Sequence, residues 1–115
     1  MQIAFVIALD WTLRTTVRAE LRETGIKALG MQTTGEVGRA LAAGEMPSAI
    51  VLEATAPLAS DPAIQRLVQR VPTVLIASRT ETVVMPPVAA VFYRPVRIGE
   101  IVARVRELLQ QARPA

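Results

Sequence analysis

Apolar runs of strand length alternate along this chain with stretches of helical periodicity, and that alternation leaves few folds open. Ile3 to Leu9 is continuously apolar, as suits a strand buried on both faces of a parallel sheet. Asp10 then stands as a helix cap, Leu13, Val17 and Leu21 recur at i, i+4 and i+8, and Gly25 is a stop signal. Ile26 to Met31 reads as the second strand. Thr33 or Thr34 opens a helix that turns Val37, Ala40 and Leu41 inward and ends at Gly44. The third strand is Ala49 to Leu52, closed by Glu53. Asp61-Pro62 pairs a cap with proline in the first turn, and Ile64, Leu67, Val68 and Val71 form that helix's apolar stripe. Thr73 to Ala77 and Val88 to Phe92 are the fourth and fifth strands. Ile98, Ile101, Val102, Val105, Leu108 and Leu109 mark a last helix reaching Gln110.

Strands and helices in this order give an α/β sandwich with a central parallel sheet, and right-handed crossovers restrict its topology. For five strands the flavodoxin-like order 2-1-3-4-5 is the natural solution. The interval from Arg79 to Pro87 breaks the rhythm. It is too short and too rich in proline for a full helix, so the fourth crossover is expected to hold one turn at most. Val83, Val84 and Met85 are expected to fill the gap this leaves, with a small exposed apolar patch as the alternative.

The totals narrow function by exclusion. With 115 residues and 51% apolar content the chain suffices for one domain, placed at residues 1–110, with 111–115 as a tail or the start of a linker. No cysteine means no disulfide framework and no thiol chemistry; no histidine removes the usual metal ligand and the base of a His-dependent triad. The net charge of +3 rests on thirteen basic residues, without the Lys/Arg run that marks a nucleic-acid-binding tail. The row Arg14, Arg18, Arg22 reads as a solvated face. The apolar opening lacks a basic leader and a cleavage site, and no apolar run approaches membrane-spanning length. A cytoplasmic protein is expected.

In such sheets ligands sit beyond the carboxyl ends of the strands, near strands one and three. Asp10, Glu53, Ser78 and Arg94, followed by Pro95, all fall at that rim. An acid, a hydroxyl and a cation-proline pair closing successive strands resemble the receiver (CheY-like) domain of bacterial response regulators. The resemblance spans nearly the whole chain. It implies a phospho-acceptor position at Glu53, a hydroxyl position at Ser78, a cation-proline pair at Arg94-Pro95 with a cis bond, and a switch-aromatic position at Val91. It also implies a fourth helix, which the Arg79–Pro87 interval leaves shortened or absent.

The departures from that pattern point away from phosphorylation. Receivers place an acidic pair after the first strand to hold Mg²⁺; aligned through Gly25, Ala8 and Leu9 occupy those positions with Asp10 one residue late, and a one-residue shift brings Asp10 into the pair but alone. Glu53 adds a methylene to the acceptor aspartate and misplaces its carboxylate for in-line attack, where geometry governs the rate. Arg94 keeps the cation as a planar fork suited to carboxylates. The expected result is a Glu53–Arg94 ion pair, with Ser78 as a further partner of Glu53, that is charge-balanced without a metal. A related reading is that Glu53 imitates the phosphorylated acceptor. Val91 has no ring to swing inward; Tyr93 reads as half-buried packing on the opposite face, and Trp11 as packing on the helix start or cover for the pocket.

The function expected is a pseudo-receiver: a non-enzymatic interaction module of bacterial signal transduction, without cofactor or metal, whose partner is a signalling or effector protein or a second copy. The alternatives are an active phospho-accepting receiver and a small ligand-binding module on the same fold. Neither a membrane nor a nucleic acid is expected as a partner.

Overall fold

A computed structural model describes residues 1–80 and 84–112. Five parallel strands, β1 (Ile3–Ile7), β2 (Lys27–Met31), β3 (Ala49–Glu53), β4 (Thr73–Ala77) and β5 (Ala90–Tyr93), form one sheet in the order β2-β1-β3-β4-β5. The helices are α1 (Trp11–Glu23), α2 (Thr34–Ala42), the short α3 (Ala56–Ala59), α4 (Pro62–Arg70) and α5 (Ile98–Gln111). This is the flavodoxin-like, CheY-like three-layer sandwich expected from the sequence.

The sheet divides its side chains between two cores, as the alternation of a strand requires. Ala4, Val6, Val51, Val74 and Ile76 pack against α1 and α5, whereas Phe5, Ile7, Ile50, Leu52 and Leu75 pack with Val37 of α2, Leu58 of α3, and Ile64 and Leu67 of α4. The helix starts are set by side-chain caps. Asp10 Oδ1 accepts from the Leu13 amide at 3.1 Å, Thr33 Oγ1 from Glu36 at 3.1 Å, and Asp61 Oδ1 from Ala63 at 2.8 Å. Gly25 and Gly44 take φ values of +84° and +87°, a conformation that favours glycine and lets the chain turn after α1 and α2.

Several details depart from the sequence reading. β1 ends at Ile7; the Ala8 amide makes one last bond to Met31 O at 2.9 Å, and the chain then turns out and leaves Leu9 45% exposed. The four-residue α3 is an element that the apolar pattern did not announce. Leu41, expected inside, sits at the exposed end of α2. The row of α1 arginines is not simply solvated. Arg14 and Arg18 lay their stems across Gly30 of β2, where a Cβ would meet Arg14 Cγ at 3.2 Å, and Arg22 Nε donates to Ala28 O at 3.1 Å. They cover the β2 edge of the sheet.

In the fourth crossover, the described residues Ser78–Thr80 and Val84–Ala89 hold no helix. Of the expected gap fillers, Met85 packs on the second core and Val84 is 85% exposed. Val83 lies outside the described residues, as does the tail beyond Ala112. No helix among the described residues is long and apolar enough to cross a membrane.

Candidate functional site

The crevice between β1 and β3 opens where the chain leaves β1 for β2 on one side and β3 for β4 on the other. Three segments meet at its mouth: the β1–α1 turn, the end of β3 and the β5–α5 turn. Glu53, the last residue of β3, is buried. Its Oε1 accepts from the Leu9 amide at 2.7 Å and the Asp10 amide at 3.2 Å. Its Oε2 accepts from Arg94 Nη2 at 2.5 Å. Arg94 Nη1 reaches Asp10 Oδ2 at 3.2 Å, so one guanidinium bridges both carboxylates.

All four carboxylate oxygens of Asp10 and Glu53 therefore accept a hydrogen bond. The two acids exceed the one cation by a charge. The positive end of α1 offsets that excess, since Leu9 and Asp10 present their amides just ahead of it. The carboxyl of Asp10 is held below its ordinary value, chiefly by the Leu13 amide; burial opposes this, and the charge and hydrogen bond of Arg94 add to the lowering.

Arg94 is positioned from both sides. Its amide donates to Ala77 O at 2.9 Å, continuing the β4–β5 ladder, and its bond to Pro95 is cis, as expected. Pro95 lines a shallow cavity of about 440 Å³ with Asp10, Thr12 and Arg94. Ser78 does not join the cluster. Its Oγ pairs with Thr80 Oγ1 at 2.8 Å and accepts from the Thr80 amide at 3.3 Å, so the hydroxyl is consumed by a local turn rather than by Glu53. Val91 is 42% exposed on β5. Tyr93 shares the face of Val91 instead of opposing it, as two-residue periodicity dictates, and its ring lies 5.1 Å from the Arg79 guanidinium carbon. Trp11 neither packs nor covers the pocket: it is 68% exposed in the first turn of α1.

The donor set does not fit the Mg²⁺ that the fold implies. Magnesium requires near-octahedral oxygen ligands. Here the space between the two carboxylates is taken by a guanidinium, and the residues ahead of Asp10 are Ala8 and Leu9. Among the described residues no three His, Cys, Asp or Glu side chains converge as a metal site.

The residues that sequence reasoning missed are backbone groups. The Leu9 and Asp10 amides carry no side-chain signal; only the capping role of Asp10 pointed to a helix start whose amides face the crevice.

Comparison with solved structures places the fold among receivers. A response regulator receiver protein from Burkholderia phymatum superposes with a TM-score of 0.75 at 19% identity, over 96% of each chain. A CheY-like receiver domain protein from Methanospirillum hungatei JF-1 gives 0.76 at 13% identity, again over 96% of each. A Francisella response regulator receiver domain gives 0.73 at 14% identity, covering 98% of this chain and 100% of its own. At these identities the likeness is one of fold. No family model matches the sequence, and no curated protein does.

Proposed function

We propose that this chain is a receiver-type signalling module of the degenerate kind: a pseudo-receiver that is not phosphorylated and works by binding a protein partner. One observation carries the reading. The carboxylate at the acceptor position is held at both oxygens, by two backbone amides on one side and by Arg94 on the other.

A phospho-acceptor must present a free oxygen to phosphorus in line with the leaving group, and a metal must offset the charge of an approaching dianion. Glu53 has its oxygens engaged, and the cation beside it is an arginine of this chain. Freeing Oε2 breaks a charge-assisted bond in a buried setting, and moving Oε1 leaves two amides without an acceptor. The same bonds tie the β1–α1, β3 and β5–α5 segments into one arrangement. The module thus presents a fixed surface and does not depend on a phosphoryl switch. The partner is a signalling or effector protein, or a second copy, meeting a bacterial cytoplasmic domain of residues 1–110.

The experiment is incubation with acetyl phosphate and Mg²⁺, read by intact-protein mass. The reading predicts no phosphoryl adduct. An adduct lost on Glu53→Gln substitution would make the chain an active receiver instead.

A further inference from the structure

Beside β4 and β5, the described residues of the fourth crossover border a cavity with both apolar and polar walls. β4 and β5 pair with Leu75 beside Val91 and Ala77 beside Tyr93. Residues two apart on a strand share a face, so these four side chains form a continuous floor. Ala77 is its smallest member and sets a depression between Leu75 and the Tyr93 ring. Met85, Pro86 and Pro87, from the connecting segment, stand as the facing wall. The enclosed space is about 400 Å³, within the range of small-ligand pockets.

The polar groups gather at one end. Ser78 and Arg79 follow β4 at the carboxyl edge of the sheet and line the same cavity. Arg79 is exposed, and its guanidinium lies over the Tyr93 ring. A guanidinium over an aromatic face still offers a fork of N–H donors that matches a carboxylate. The cavity adjoins the Glu53 cluster through Ala54 but shares none of its charged groups, since its cation is Arg79 and not the doubly engaged Arg94.

We propose that this pocket binds a small planar aromatic carboxylate. The ring lies on the Leu75–Val91 floor against the prolines, whose flat aliphatic surfaces suit a π face, and the carboxylate meets Arg79 beside Ser78. The site reads length as well as charge, since the apolar floor ends where Arg79 begins. Binding would cover this part of the β4–β5 face and alter the surface shown to a protein partner. The pocket and the Glu53 clamp share no charged group, so failure of either proposal leaves the other standing.

The test is a titration of isotope-labelled protein with indole-3-acetate, with the neutral indole-3-acetamide as control, followed by amide shifts. The expected result is saturable shifts centred on Ser78, Arg79, Val91 and Tyr93, with the acid binding about tenfold tighter than the amide. Arg79→Gln, at an exposed position, brings the acid down to the amide's affinity; Val91→Trp, which fills the floor from a solvent-facing position, abolishes both. Equal binding of acid and amide, shifts scattered over the surface, or no saturation at millimolar ligand would overturn the proposal. So would saturable shifts at these residues from an apolar helical peptide and none from the acid, which would give the groove to a protein.

Discussion

Arg94 and Glu53 lie 41 residues apart in the chain and are joined by a 2.5 Å bond from Nη2 to Oε2, while the other arm of the same guanidinium holds Asp10. That fork makes the end of β3 a structural joint. Its contribution is measurable because Glu53 is buried, with a side chain only 9% exposed.

Glu53→Gln keeps the size and an oxygen for the Leu9 and Asp10 amides but turns an amide NH₂ toward Arg94. Donor then faces donor, although Arg94, 37% exposed, can turn to water. A loss of about 1–3 kcal/mol is expected in urea unfolding. A loss below about 0.5 kcal/mol, the range of an ordinary surface change, would show that the pair is decorative.

Arg94→Lys keeps the charge and removes the fork. One ammonium cannot hold Oε2 of Glu53 and Oδ2 of Asp10 in the same geometry. The expected cost is about 1 kcal/mol, and Asp10→Ala should cost less when combined with Arg94→Lys than in the parent. Additive losses would mean that Arg94 does not couple the two acids.

Asp10 predicts a pH dependence. Its pKa is lowered in the folded chain, so its contribution is fully present above the ordinary carboxylate value and is lost as pH falls through the lowered one. Asparagine caps a helix about as well as aspartate but carries no charge for Arg94. Asp10→Asn should therefore be less stable than the parent at pH 7, by about 0.2–1 kcal/mol for so exposed a pair, and the gap should close as pH falls below the ordinary carboxylate range. A gap that stays constant would contradict this.

Ser78 bonds Thr80 rather than Glu53. Ser78→Ala should change stability by less than about 0.5 kcal/mol and leave the Leu9 and Asp10 amide resonances unmoved. Shifts at those amides would place the hydroxyl in the clamp after all.

What could be read from the sequence depended on periodicity. The strand order and the four longer helices follow from apolar spacing, the caps at Asp10, Thr33 and Asp61, and the glycines at 25 and 44. The Glu53–Arg94 pair was legible because strand ends in a parallel sheet must share a rim. The amides that complete it were not, since a backbone N–H has no letter of its own. Ser78 was misjudged because a local turn competes with any longer reach. Leu41 and Trp11 show that apolar character at a helix end does not by itself place a residue in the core. For the β4–β5 cavity, the prolines at 86 and 87 pointed only to the lack of a full helix, with Val83, Val84 and Met85 expected in the gap. Its floor depends on the pairing of Leu75 with Val91 and of Ala77 with Tyr93, which spacing within one strand does not reveal.

The most direct test of a clamp in place of a reaction centre is the backbone amide spectrum during titration with Mg²⁺ and beryllofluoride, which mimics a bound phosphoryl group. The account predicts that the Leu9 and Asp10 amides, bonded to Glu53, stay where they are at saturating reagent. A stoichiometric, Mg²⁺-dependent movement of those two resonances would contradict it.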